Sequence, residues 1–463
     1  MTTFAQAVQN DNQENALKPV VDLFFLAGAS RGKNLQSQFQ ASFEADPKLT
    51  ARLGLWLRDV RGGAGERQQF RNFLNFLESY SEDSRQLLLD MMPAIAEVGR
   101  YDDLFCFKSP YFKFYGFSFV LAALHNPKTA ALAAKWCPRE KSAKAELARE
   151  FRKFLGMTPK AYRKMLSAIT DVVESKMCAK EWNDIVFSHV PSVAAARYQK
   201  AFGRNAPEAY AAYRDDLVSG KAKINASAIF PYDVINSAFA GDRVVANEQW
   251  KALPDYVGEA KILPMIDVSG SMDIPAAGNP NVTCMKVAVS LGMYIAEKQA
   301  GAFNNLYMTF TDVPKLTSIT GVDLVEKYNK VINRVGYSTN LDAAFLEVLR
   351  VAKQNSVPQS EMPEYILVMS DMQFNGHSFH WNDALQEKIS AMFSDAGYQT
   401  PNLIWWNIAA AQSAVPVKAN VEGVGLVSGA SPSVVKSILA AKNVTPIDIM
   451  LEAINNPRYA MWV

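Results

Sequence analysis

Asp267, Ser269 and Ser271 occupy alternate positions of one short segment, Asp267-Val268-Ser269-Gly270-Ser271. One carboxylate and two hydroxyls at that spacing offer hard oxygen donors from a single turn. Such donors suit Mg2+ or another hard divalent cation and not a soft metal. Mg2+ takes octahedral coordination, so three groups from one turn are too few, and further oxygens must come from elsewhere in the chain. Two places supply them. Tyr337-Ser338-Thr339-Asn340 precedes a helical pattern opening at Leu341, and Asp371 follows the apolar run 365–369. The expected metal site is therefore Asp267, Ser269, Ser271, Thr339 and Asp371. Each has a plainer reading by itself: an Asx or Ser turn for the first segment, a helix N-cap for Thr339, a strand-end turn for Asp371. Only their convergence on one rim makes a site.

The elements around these residues alternate. Apolar, β-rich runs fall at 265–266, 306–310, 365–369, 403–408 and 424–427. Helical patterns lie between them: Met285, Val289 and Met293 share one face, and so do Leu341, Ala344, Phe345 and Val348. Strand–helix alternation predicts a mainly parallel, doubly wound sheet covered on both faces. Ligands of such sheets bind beyond the carboxyl ends of the strands, where strand order reverses. Pro264 stands at the start of a strand that must be central. It cannot donate to the ladder, so pairing there has to begin after it or run on one side only.

The first half reads differently. Phe70, Phe73, Leu74 and Leu77 follow the spacing of one helix face, as do Phe117, Val120, Leu121 and Leu124. Short breaks separate such patterns, at the glycine-rich stretch 61–65 and at Pro93, Pro110, Pro138, Pro159, Pro191 and Pro207. The expectation is a helical array of the α-solenoid type over residues 1–257, although no clean repeat period is visible. An α/β domain with a C-terminal helical extension is expected over residues 258–463. The last stretch, 445–463, carries Tyr459 and Trp462 and is expected to return onto the helical half.

Composition narrows the function classes. The 463 residues are 49% hydrophobic and 20% charged, a globular balance able to bury a large core without disulfides. The cysteines, Cys106, Cys137, Cys178 and Cys284, are far apart, which argues against a zinc site and for a reducing compartment. Four histidines and no H-E-x-x-H motif leave little for histidine-based metal chemistry. The apolar run 20–29 is short and interrupted by Asp22, so it reads as a core helix and a cytoplasmic protein without membrane contact is expected. Catalysis is not expected. A phosphatase-type aspartate would need a second acid two residues on, where Ser269 stands, and no Ser–His–Asp or Cys–His arrangement is suggested.

Residues 1–260 carry 34 Lys+Arg against 29 Asp+Glu, and residues 261–463 carry 14 against 17. The excess concentrates at 135–164, where Lys135, Arg139, Lys141, Lys144, Arg149, Arg152, Lys153, Lys160, Arg163 and Lys164 face only three glutamates. Trp136, Phe151, Phe154 and Tyr162 are interleaved. The strip is a candidate RNA-binding surface of phosphate contacts and stacked rings. The competing reading is a solvated helix face with Phe151 and Phe154 in the core. The turn 61–65 lacks the lysine–hydroxyl pair of a phosphate loop. Arg58, Arg61 and Arg67 beside it are expected to pair with Asp59 and Glu66 or to reach a backbone phosphate. Asp102 and Asp103 are expected to cap or pair near Arg100.

Asp-x-Ser-x-Ser, a later Thr and a later Asp, in that order, resemble the metal-ion-dependent adhesion site of von Willebrand factor A domains, over about residues 261–430. The resemblance implies that the hydroxyls bind the cation directly, that the aspartates bind it directly or through water, and that one position stays open. The helical half resembles the TROVE module of Ro autoantigen proteins, and more closely a group of uncharacterised phage and bacterial proteins with the same helical-plus-von Willebrand layout. The segments carrying the likeness are WLRDVRGGAGER at 56–67, EVGRYDDL at 97–104, MCAKEW at 177–182, VPSVA at 190–194 and PMIDVSGSM at 264–272. It implies HEAT-like helical repeats joined to a von Willebrand A domain, and a protein that binds small or misfolded structured non-coding RNA without catalysis. Two other functions stay open: a scaffold whose open metal position takes a carboxylate from a protein partner, and a metal-dependent hydrolase.

Overall fold

The structure is a computed structural model describing residues 4–276, 282–309, 313–333, 341–372, 383–409 and 421–463. From Phe4–Ala27 to Arg243–Lys251 the chain folds as successive α-helices and short 3-10 turns. Several breaks read from the sequence are helix starts. Pro110, Pro159 and Pro207 stand in the first turn of Pro110–His125, Pro159–Ile169 and Pro207–Val218, where a missing N–H costs nothing. Ser109 and Thr158 cap the first two by accepting from Phe112 N and Ala161 N. Pro93 is different, because it lies inside the helix Glu82–Val98. Burial of Met91, Met92, Ala94, Ile95 and Val98 on one side of that helix offsets the lost hydrogen bond, a cost of about 3 kcal/mol.

Six strands form one sheet in the order β3-β2-β1-β4-β5-β6. They are β1 (Ile262–Ile266), β2 (Leu306–Thr309), β3 (Thr317–Ser318), β4 (Tyr365–Ser370), β5 (Asn402–Asn407) and β6 (Val424–Ser428). Every adjacent pair is parallel except β2 and β3. β3, two residues long, is the strand that the sequence pattern did not reveal. Pro264 is paired as expected: β1 is in register with β4 along its whole length, while pairing with β2 begins at Met265.

The strand period of two sorts the core. Leu263, Met265, Val368, Trp405 and Leu426 pack with Ala344, Val348 and Phe393 of the helices Leu341–Gln354 and Asp383–Asp395. Ile266, Leu367, Met369, Trp406 and Val427 point to the opposite face, which belongs to the same apolar cluster as the helix Cys284–Lys298. Gly292 lets that helix lie close, since a Cβ there would stand 2.4 Å from the Ile266 side chain. Both faces are therefore covered, and the strands read as continuous apolar runs.

The same cluster continues into the helical half, from Val20 and Phe24 of the first helix to Tyr459 near the C-terminus. The first helix ends against β6. Gly28 N donates to Ser428 Oγ at 3.2 Å, and Ser428 Oγ donates to Phe24 O at 3.0 Å. The C-terminal stretch returns onto the helical half: Arg52 holds the Val463 carbonyl, and Arg458 and Tyr459 both donate to Asp59. Among the described residues no helix is long and apolar enough to cross a membrane.

Candidate functional site

The chain leaves β1 toward β2 on one side and later returns as β4 on the other, so strand order reverses between β1 and β4. Asp267 directly follows β1, and Asp371 directly follows β4. Register continues past the strand end, with Asp267 N donating to Met369 O at 3.0 Å. Asp267 Oδ1 accepts from Ser269 N at 2.9 Å, the Asx turn that folds the serines back over the aspartate. Ser269 Oγ and Ser271 Oγ then lie 3.0 Å apart. Asp267 Oδ2 accepts from Ser370 Oγ at 2.6 Å, and Ser370 Oγ accepts from Met372 N at 3.0 Å. Met372 adopts φ +62°, a left-handed conformation uncommon outside glycine, so the turn carrying Asp371 is locally strained.

The structure thus brings Asp267, Ser269 and Ser271 together and places Asp371 on the neighbouring strand end. Thr339 lies outside the described residues. Asp267 is 4% exposed and Asp371 is fully buried, whereas the two serines are half-buried and open toward solvent. The donor set is carboxylates and hydroxyls, which fits a hard cation. Burial, with the charge of Asp371 adding to it, pushes the Cys284 thiol up to about 12. Among the described residues no three His, Cys, Asp or Glu side chains cluster at metal-binding range, so a cation here would depend on the serine hydroxyls. Ser370 is the member of this cluster that the sequence pattern did not single out.

The basic strip resolves into two layers. Helix periodicity buries Ala148 and Phe151 of Ala145–Phe154, and Tyr162 and Leu166 of Pro159–Ile169. Phe151 and Tyr162 are therefore not stacking surfaces, and Tyr162 OH donates inward to Pro138 O at 2.8 Å. Trp136 is capped by the Arg100 guanidinium, 3.8 Å from its ring centre. Four of the basic residues are engaged within the fold. Lys135 meets Glu174, Arg152 and Arg163 share Glu140, and Arg139 donates to Ala134 O. Lys141, Lys144, Arg149, Lys153, Lys160 and Lys164 point to solvent. Among the described residues, only Lys144 of these has an acid within ion-pair range, Asp102 at 3.8 Å.

Exposed rings do lie beside this face, on the helix Pro110–His125. Tyr111 is 54% exposed and Phe114 58%. Phe114 meets Phe154 edge-on at 5.7 Å, and Lys113 pairs with Glu150, so the two helices are neighbours. Tyr111, Phe114 and Tyr115 follow a helical i, i+3, i+4 spacing offset from the buried Phe112, Gly116 and Val120, and that offset is the signal in the sequence that marks them.

The charges around the glycine-rich turn pair otherwise than expected. Arg58 is bound to Asp103 at 2.8 Å and Glu66 to Arg31 at 2.7 Å, while Asp59 takes Arg458. These partners are distant in sequence, and burial of Arg58, Asp59 and Asp103 selects partners brought close by the fold over neighbours in the chain. Asp102 and Asp103 behave as expected: Asp102 holds Arg100 at 2.9 Å, and Asp103 Oδ2 accepts from Arg100 N.

Two domains of unknown function match the chain, DUF2828 over residues 121–261 and DUF7788 over residues 261–456. Their junction falls at the start of β1. The uncharacterized protein L728 of Acanthamoeba polyphaga mimivirus is 31% identical over 353 residues, or 70% of this chain. The chain spans 60% of the length of that curated relative. Among solved structures, the crystal structure of the Deinococcus radiodurans Ro (RSR) protein aligns with a TM-score of 0.46 and 13% identity, over 95% of this chain and 99% of that one.

Proposed function

We propose that this protein is a non-catalytic, Ro-like binder of small or misfolded structured non-coding RNA, with its RNA surface on the helical half. The observation that carries the reading is the pairing of exposed rings with cations that make no ion pair among the described residues. Arg149 and Lys153 stand one helical turn apart on Ala145–Phe154, and Tyr111 and Phe114 project from the adjoining helix. Phosphates supply the charge those cations lack, and unpaired bases stack on the open rings. The resemblance of the helical half to the TROVE module supports the same reading.

The sheet rim supplies the second half of the proposal. Asp267, Ser269, Ser271 and Asp371, with Thr339 as the expected fifth member, would hold Mg2+ or a similar hard cation. A bound cation supplies a fixed positive charge at the rim. The buried carboxylates balance that charge, and the open serine edge leaves room for one further oxygen. That open edge favours a second reading of the rim, as a contact for a carboxylate of a protein partner.

The full chain purified from cells tests the RNA reading. Excess absorbance at 260 nm and retardation of structured RNA, weakening steeply with salt, are expected. Protein free of nucleic acid that fails to retard such RNA at low salt overturns it.

A further inference from the structure

A cavity of about 400 Å³ opens between the glycine-rich turn, the Arg100 segment and the helices around 135 and 191–198. Arg31, Arg58, Arg67, Arg100, Lys135 and Arg197 line it, and Glu174 is the one acid among the lining residues. Four of these cations are matched: Arg31 with Glu66, Arg58 with Asp103, Arg100 with Asp102 and Lys135 with Glu174. Arg67 and Arg197 make no ion pair among the described residues, although Arg197 hydrogen-bonds Tyr198 and its charge acts on the buried Asp233. They reach the cavity from different parts of the helical half.

Arg67 opens the helix Arg67–Tyr80, whose first free N–H groups are taken by the Glu66 carboxylate, on Gln68 N and Gln69 N. Partial desolvation, and then the charges of Arg100 and Arg71, lower its pKa from the ordinary arginine value against the opposing pull of Asp102 and Asp103. A guanidinium held beside other guanidiniums is stabilised by an anion entering from solvent. The cavity volume is that of a small-molecule site, large enough for one nucleotide and too small for a duplex. The Arg100 guanidinium sits over the Trp136 ring, 3.8 Å from its centre, and Tyr198 adds a second ring to the wall.

We propose that this cavity binds a terminal phosphate group, the dianionic phosphomonoester of a nucleoside monophosphate or of a nucleic-acid strand end. Two guanidiniums that make no ion pair among the described residues balance the charge of a phosphomonoester near neutral pH, about −1.5 to −2, better than the single charge of an internal phosphodiester. The matched arginines then serve as oriented donors whose positions Asp102, Asp103 and Glu66 fix.

Isothermal titration calorimetry of the full chain with AMP, adenosine and inorganic phosphate tests this. AMP is expected to bind and adenosine to give no heat. Affinity for AMP should fall at least about tenfold in Arg67→Gln and in Arg197→Gln, both exposed positions whose loss leaves the core intact, and stay unchanged in Arg350→Gln on the sheet domain. RNA 10-mers then identify the source of the phosphate. Displacement of AMP by a 5′-phosphorylated strand but not by a 5′-hydroxyl strand assigns the cavity to strand ends. Displacement by neither assigns it to free nucleotides. Absence of AMP binding, equal binding of adenosine, equal displacement by both strands, or undiminished affinity in both Arg67→Gln and Arg197→Gln overturns the proposal. AMP binding is read without RNA, so the outcome is separable from that of the basic face.

Discussion

Ser370 Oγ donates to Asp267 Oδ2 across 2.6 Å and so ties the carboxyl ends of two adjacent parallel strands at the point where sheet order reverses. The hydroxyl also accepts Met372 N, so it fixes both the aspartate and the turn that carries Asp371. Residues that orient a metal ligand typically contribute 10–100-fold to affinity. Ser370→Ala is therefore predicted to weaken Mg2+ binding by about tenfold or more, and Asp267→Ala to abolish it. The readout is the rise in melting temperature with added Mg2+, worth about 2.7 kcal/mol at a hundredfold excess over Kd. An equal rise in Asp267→Ala would remove the cation from the rim.

Gly28 and Ser428 set the spacing between the first helix and the sheet. A Cβ on Gly28 would lie 2.7 Å from the Ser428 carbonyl oxygen. Gly28→Ala is predicted to destabilise the fold by about 1–3 kcal/mol, since backbone has to shift and not a flexible side chain. Urea unfolding measures it. A loss under about 0.5 kcal/mol would show that the helix is free to move there.

Asp59 gathers the C-terminus, accepting from Tyr459 OH at 3.1 Å and from Arg458. Tyr459→Phe removes one donor from a fully buried carboxylate, and a loss of about 1–3 kcal/mol is expected. Limited proteolysis should then cut the tail after about residue 455 sooner than in the parent protein. An unchanged cleavage pattern would show that the tail is held by its apolar contacts alone.

Asp233 gives a pH signature. Burial pushes its carboxyl up to about 6, against the opposing pull of the Phe230 backbone and of Arg197 and Arg31. The folded pKa is above the unfolded value of about 3.9, so the folded chain binds the proton more tightly. That contribution is present at low pH and is lost as pH rises from about 4 to about 6, a swing on the order of 3 kcal/mol. Asp233→Asn is predicted to be more stable than the parent at pH 7.5, with the gap much narrowed at pH 4.5. A gap of equal size at both values would contradict the assignment.

The sequence pattern located the sheet because its strands are buried on both faces and read as apolar runs between helical patterns. β3 escaped because two residues carry no period. The Asp267–Ser271 turn was legible because its geometry is local, a single Asx turn that the residue types announce. Ser370 was not, because its role depends on β1–β4 register. Chain proximity points Arg58 and Glu66 to near neighbours, whereas burial selects partners 45 and 35 residues away. The basic strip was visible as composition, but only the helix phase shows that Phe151 and Tyr162 turn inward and that the open rings are Tyr111 and Phe114.

The salt dependence of RNA affinity in the parent protein and in the Arg149→Glu, Lys153→Glu, Lys160→Glu triple variant tests the central claim most directly. If the basic face carries the RNA, log Kd of the parent rises steeply with log salt, and the variant binds more weakly with a slope shallower by about 2. If the variant keeps the parent's affinity and slope, the face carries no phosphates and the account fails.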